Sequence, residues 1–154
     1  LARGPELFLG YHDAALSAEA FTDDDWFRTG DLGVLDAAGY LRITGRRKDI
    51  IIRKGENISA REVEDAIATH PAVAEVAVVG LPEPAAGEIA CAVVRLRPGA
   101  APPSLAALAV HLRAEGLSTR KLPERLEIVE DFPRAPSGKI VKRELGERFT
   151  SRGG

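Results

Sequence analysis

A chain of 154 residues suits one globular domain, or one domain plus a remnant of another, and 45% hydrophobic with 29% charged residues is the balance of an ordinary folded core and surface. A net charge of -2 gives no overall attraction to nucleic acid or an anionic membrane, and a lone cysteine, Cys91, excludes an internal disulfide and a cysteine-built metal site. No apolar run approaches the roughly 18 residues of a membrane span, and no secretory leader opens the chain, so a cytoplasmic location is expected.

Residues 1–44 read as β-rich and thinly stocked with helix. Asp13 is placed to cap a short helix over Ala14 to Phe21. Asp23, Asp24 and Asp25 form an acidic turn before Trp26 and Phe27. Leu32 to Leu35 and Tyr40 to Thr44 flank Asp36-Ala37-Ala38-Gly39, a hairpin pattern with Gly39 at the left-handed position. With few helices to cover them, these strands belong to a sheet whose other strands lie upstream.

The charged stretch from Gly45 to Ser59 then marks a joint. Ile50 to Ile52 is too short and too β-branched for a helix and reads as a brief buried strand between cationic clusters. Gly55 marks a tight turn or a close backbone approach. Ser59 with Glu62 fits a capping box, which starts a helix running to about His70, with Val63, Ala66 and Ile67 on one face and Pro71 as its stop.

Glu75 to Val79 and Ile89 to Leu96 are strands joined through Pro82-Glu83-Pro84 and Gly87. Ser104 caps a helix carrying Leu105, Leu108 and Leu112, which ends near Gly116. Leu126 to Val129 is a further strand, Asp131 to Gly138 a Pro/Gly loop, and Ile140 to about Phe149 a last helix. The fold class is α+β, with the order β-α-β-β-α-β-α, a mainly antiparallel sheet and flanking helices. Cys91, inside an apolar strand, reads as a small core residue.

Three short motifs carry chemistry. Pro133-Arg134-Ala135-Pro136-Ser137-Gly138-Lys139 is not a Walker A loop, because proline stands at the first glycine position and Ile140 replaces the Ser or Thr. Its lysine is either a solvated loop cation or a point charge for a phosphate or carboxylate. Thr29-Gly30-Asp31 offers either a plain turn aspartate or an acceptor for ribose hydroxyls. The cations from Arg42 to Lys54 lack the interleaved aromatic residues of a nucleic-acid surface, so a solvated face or one anionic ligand fits them better. His12, His70 and His111 have no metal-ligand spacing, so no metal site is expected.

In order and spacing, Trp26 to Asp31, Gly45-Arg46 with Asp49 and Gly55, Glu62-Val63-Glu64, and Pro136-Ser137-Gly138-Lys139 resemble the C-terminal part of the adenylate-forming enzymes: acyl-CoA synthetases, luciferases and peptide-synthetase adenylation domains. Leu1 to Tyr11 resembles a further segment of that family, so the resemblance spans the chain. It implies that an acyl-AMP is made from a carboxylic acid and ATP, and that the acyl group then passes to a thiol. By that resemblance Asp31 holds the ribose hydroxyls, Arg46 contacts the ribose or phosphate, and Lys48 is the hinge between the half-reactions. Lys139 is the catalytic lysine between α-phosphate and carboxylate, and Gly55 lines the pantetheine path. ATP, Mg2+ and CoA are the implied cofactor and co-substrates, with the Mg2+ ligands outside this chain.

The implied domains are a remnant of the large N-terminal domain over residues 1–45, a hinge at 46–48 and a C-terminal lid over 49–154. Ile52 stands where some aryl-CoA ligases carry lysine, so the resemblance implies no second active-site lysine there. The peptide-synthetase pattern after Gly55 is absent and the chain ends soon after Lys139, so a free-standing acyl-CoA synthetase is expected over a peptide-synthetase module. The chain contains no Met and begins at Leu1, so a longer parent protein is expected. Carboxylic acid and CoA would bind through the N-terminal domain upstream, and the isolated chain is expected to be inactive, with residues 1–44 either self-associating with another chain or lying disordered. The competing readings are a stand-alone ferredoxin-like module binding nucleotide or RNA, and an adenylating ligase with an acceptor other than CoA.

Overall fold

The structure is a computed structural model that describes residues 1–151. It divides into two compact units with the boundary between Lys48 and Asp49.

In the first unit, Asp13 accepts a hydrogen bond from the Ala15 amide at 2.9 Å and starts helix α1 (Ala14–Ala20). Phe8 packs against Tyr11, Phe21 and Phe27 with ring centroids 4.9 to 5.5 Å apart, a half-exposed aromatic cluster that joins the start of the unit to its middle. Strands β1 (Asp31–Leu35) and β2 (Leu41–Arg46) pair antiparallel as the expected hairpin. The Asp36 carboxylate accepts from the amides of Ala38 and Tyr40, both at 2.9 Å, and Gly39 takes φ 86°, so the turn chemistry written in the sequence is the turn that forms. Leu35, Tyr40 and Leu41 remain exposed on this two-stranded ribbon.

The second unit is built on a five-stranded sheet. β3 (Ile50–Arg53) and β4 (Glu56–Ser59) form a hairpin, β3 adjoins β6 (Gly87–Leu96), and β6 pairs antiparallel with β5 (Val73–Glu83) and parallel with β7 (Arg125–Ile128). Period-two alternation along β5 and β6 splits their side chains between two cores. Val78, Ala92 and Val94 face α2 (Ala60–Ala68) and α3 (Leu105–Ala114), where Val63, Ile67, Leu108 and Leu112 complete a buried cluster. Ala77, Val79, Cys91 and Val93 face the other way, onto Phe132 and onto Leu145 and Phe149 of α4 (Lys142–Thr150). The α+β class and the mainly antiparallel sheet are as expected.

Several boundaries differ. β4 is absent from the expected order, because Glu56-Asn57-Ile58-Ser59 carries a single apolar residue, Ile58, and only pairing with β3 makes it a strand. Ile51 is buried, but Ile52 points outward and is 55% exposed, so the strand is buried on one face only. β5 continues through Pro82, which is tolerated because β5 lies at the sheet edge. The final helix begins at Lys142, since Ile140 is bridged to Arg134 instead. No helix among the described residues is long and apolar enough to cross a membrane.

Candidate functional site

Asp31 opens β1 and Arg46 closes β2, and the two are register partners. Arg46 Nε lies 3.0 Å from Asp31 Oδ1. Their meeting depends on an irregularity. Leu35 to Gly33 pair with Leu41 to Ile43, but Leu32 pairs with Gly45, so β2 accommodates one extra residue. Without this bulge Asp31 would face Gly45. Gly33 gives the strands room there, because a Cβ would stand 2.8 Å from Leu41 Cδ1 and 3.0 Å from the Arg42 carbonyl oxygen. The Thr29 hydroxyl accepts from the Asp31 amide at 3.1 Å, and the Arg47 amide donates to the Gly30 carbonyl at 2.8 Å, so the strand end carrying the pair is fixed.

Lys48 follows in a short 3-10 turn (Arg47–Asp49), exposed and, among the described residues, without an ion-pair partner. Gly55 sits in the two-residue turn of the β3–β4 hairpin. Lys54 has φ 49° and Gly55 φ 79°, the doubly left-handed turn that matches strand twist. A Cβ on Gly55 would meet nothing within 4 Å, so the tight turn, and not a close approach within this structure, explains the glycine.

Lys139 occupies a second, smaller hairpin. The Gly138 amide donates to the Ala135 carbonyl at 2.8 Å, the Ala135 amide to the Lys139 carbonyl at 2.9 Å, and the Val141 amide to the Pro133 carbonyl at 2.8 Å. Gly138 takes φ 81°. This is a three-residue loop with a glycine bulge, and Pro136 stiffens its first corner. Lys139 is exposed and makes no ion pair among the described residues. A flexible cation on a fixed backbone can meet an incoming anion without first releasing a carboxylate.

The motifs did not point to the side chains that hold this loop. Arg134 Nη1 donates to the Gly138 carbonyl at 3.1 Å, while its Nη2 lies 2.8 and 2.9 Å from the Glu75 carboxylate oxygens. Arg95, the register partner of Glu75 on β6, donates to the same carboxylate from Nε at 2.7 Å. Hydrogen bonds from Arg134 and then Arg95 hold the Glu75 carboxyl below its usual pKa, and the Glu75 carboxylate raises that of Arg134. Glu75 and Arg134 lie 59 residues apart in sequence, and nothing local announces their meeting. The structure thus brings Asp31 and Arg46 together in the first unit and sets Gly55 and Lys139 on separate hairpins of the second.

Mg2+ finds no obvious seat here: among the described residues no group of three or more His, Cys, Asp or Glu side chains could hold a metal ion.

The model of the AMP-binding enzyme C-terminal domain matches residues 62–139, half of the chain, from the first turn of α2 to the loop lysine. The chain belongs to this family. The match takes in α2, α3 and strands β5, β6 and β7 of the second unit and ends at the loop lysine, while β3 and β4 precede it. The medium-chain fatty-acid–CoA ligase of Escherichia coli K12 is 42% identical over 142 residues, covering 92% of this chain and 25% of its own length. The 2,3-dihydroxybenzoate-AMP ligase of Bacillus subtilis is 40% identical over 153 residues, covering 99% of this chain and 28% of its own length. The crystal structure of ATP-bound MatB from Rhodopseudomonas palustris matches with a TM-score of 0.87 and 36% identity, over 99% of this chain and 30% of that one. The chain therefore spans about a quarter of the curated relatives it matches. These relatives are adenylate-forming ligases by name, which favours the ligase reading over an RNA-binding module.

Proposed function

We propose that the chain is the C-terminal part of an ATP-dependent acyl-CoA synthetase, with residues 1–45 belonging to the large domain, 46–48 to the hinge and 49–154 to the lid. The observation that carries the reading is Lys139, a cation without an ion-pair partner among the described residues, on a hydrogen-bonded hairpin at the end of the family match.

In the first half-reaction a carboxylate oxygen bonds to the α-phosphorus of ATP and pyrophosphate leaves. Two anions meet in that step, and negative charge builds at the phosphoryl group. The Lys139 ammonium offsets it, a contribution of about 10²–10³ in rate for one well-placed donor. Asp31 accepts the ribose hydroxyls, and the adjacent Arg46 contacts ribose or phosphate while holding the carboxylate in place. In the second half-reaction the thiol of CoA displaces AMP, the lid having turned about Lys48, and Gly55 lies beside the thiol's path. The acid and CoA are bound mainly by the remainder of the parent protein, so this chain alone makes no thioester. The exposed apolar residues Leu35, Tyr40 and Leu41 support a first unit completed by other strands, supplied by the parent protein or, in isolation, by self-association.

A second reading keeps the adenylation and changes the acceptor. The name of the Bacillus subtilis relative refers to an AMP ligase, not a CoA ligase. Assay of the parent enzyme with its acid and ATP, with and without CoA, separates the two. Acyl-CoA as product supports the first reading. Acyl-adenylate made at the same rate and left untouched by CoA supports the second. Absence of both products for every acid class tried removes the ligase reading.

A further inference from the structure

Lysine has four rotatable side-chain bonds, so the protein can preset only the place and direction from which the side chain departs. The peptide group joining Gly138 to Lys139 sets that direction. Its carbonyl accepts from Arg134 Nη1 at 3.1 Å, and the same guanidinium is fastened to the Glu75 carboxylate at 2.8 and 2.9 Å. Glu75 is held in turn by Arg95 from the neighbouring strand, with Nε at 2.7 Å and Nη2 at 2.6 Å from Oε2. The backbone hydrogen bonds of the hairpin fix its internal shape, because they join residues of the hairpin only. The line from β6 through Arg95, Glu75 and Arg134 ties that shape to the sheet.

We propose that Glu75 and Arg134 are positioning residues for Lys139, holding the Gly138–Lys139 peptide against the β5–β6 ladder so that the ammonium is presented in the adenylating orientation. The inference rests on the adenylation role proposed for Lys139. The exposure of these side chains favours a positioning role over a merely stabilising one. The three side chains are about one-third exposed, and ion pairs of that exposure contribute little to stability, roughly 0–1 kcal/mol. A displacement of about 1 Å at a reacting group, by contrast, costs on the order of 10²-fold in rate. Loosening this tie should therefore slow chemistry far more than it destabilises the fold.

The test uses the full-length parent enzyme, with pyrophosphate exchange reporting adenylation and supplied acyl-adenylate plus CoA reporting thioester formation. Glu75→Gln and Arg134→Ala are expected to lower kcat for exchange roughly tenfold or more, with KM for ATP little changed and thioester formation retained. The double variant should be no slower than the slower single one, because both break one connection. Hydrogen exchange in the same proteins should show faster exchange at the Ala135 and Gly138 amides in the variants. Arg61→Ala, which removes an exposed ion pair with Asp65 on α2, controls for loss of a surface charge and should change neither half-reaction. Arg134→Lys, which keeps the charge, covers the event that Glu75→Gln does not fold, and should restore part of the rate lost in Arg134→Ala.

Wild-type exchange rates in Glu75→Gln and Arg134→Ala, alongside a crippled Lys139→Ala, would overturn the positioning role and leave the function standing. Normal pyrophosphate exchange in Lys139→Ala would instead overturn the functional reading itself. Equal slowing of both half-reactions in the Glu75 and Arg134 variants would also count against the inference, because it would mark a general structural loss.

Discussion

Asp31 faces Arg46 across the β1–β2 hairpin at 3.0 Å because β2 carries one extra residue beyond Ile43. Regular pairing would set Gly45 there and leave Arg46 on the opposite face. Gly33 stands at the bulge, where a side chain would press on Leu41 and the Arg42 carbonyl. Gly33→Ala in the parent enzyme should therefore disturb the Asp31–Arg46 pair and raise KM for ATP about tenfold, equivalent to one lost contact of about 1.4 kcal/mol. An unchanged KM for ATP would separate this pair from nucleotide binding.

Gly55 serves the β3–β4 turn through its φ of 79°. Gly55→Ala should lower the unfolding free energy by about 1 kcal/mol, and Gly55→Asn by less, since asparagine tolerates the left-handed region. The same pair of variants tests the thiol path. Obstruction by a side chain predicts slower thioester formation in both, and more in the larger Asn variant. Turn strain alone predicts that Asn is the milder change in every assay.

Glu75 gives a pH dependence with a definite sign. Its carboxyl is held below the ordinary 4.5 by hydrogen bonds from Arg134 and then Arg95. The folded state thus binds fewer protons than the unfolded state, and the stabilisation is fully present above pH 4.5 and lost as pH falls through the lowered folded value. The stability difference between wild type and Glu75→Gln should be constant near neutrality and shrink below pH 4.5 in denaturation series.

Cys91 is fully buried between β5 and β7, and burial pushes its thiol up to about 12. The nearby Arg125 guanidinium lowers it only in part. Alkylation at pH 8 should be negligible in the folded protein and rapid once it is denatured. Fast modification under native conditions would mean that the second core is open.

The legible parts of this molecule are those whose partners lie close in sequence. Asp13 capping α1, Asp36 and Gly39 closing the first hairpin, and Ser104 capping α3 each act within a few residues of themselves. Long-range partners were not legible. β4 is a strand only because β3 lies beside it, and Ile52 points to solvent because Ile51 takes the inward face. Within the lysine loop, the chain itself displayed Pro136, Gly138 and Lys139. The tie to Glu75 depends on how a hairpin near the chain's end folds back over β5, and no spacing rule encodes it. The bulge that aligns Asp31 with Arg46 was equally hidden, since its signal is a single glycine within a strand, Gly33.

The central claim is that Lys139 acts in the adenylating step and not in thiol transfer. The most direct measurement is Lys139→Ala in the parent enzyme, assayed separately for pyrophosphate exchange and for thioester formation from supplied acyl-adenylate. The account predicts a loss of about 10²–10³-fold in exchange with thioester formation close to wild type. Equal losses in both half-reactions, or wild-type exchange, would contradict it.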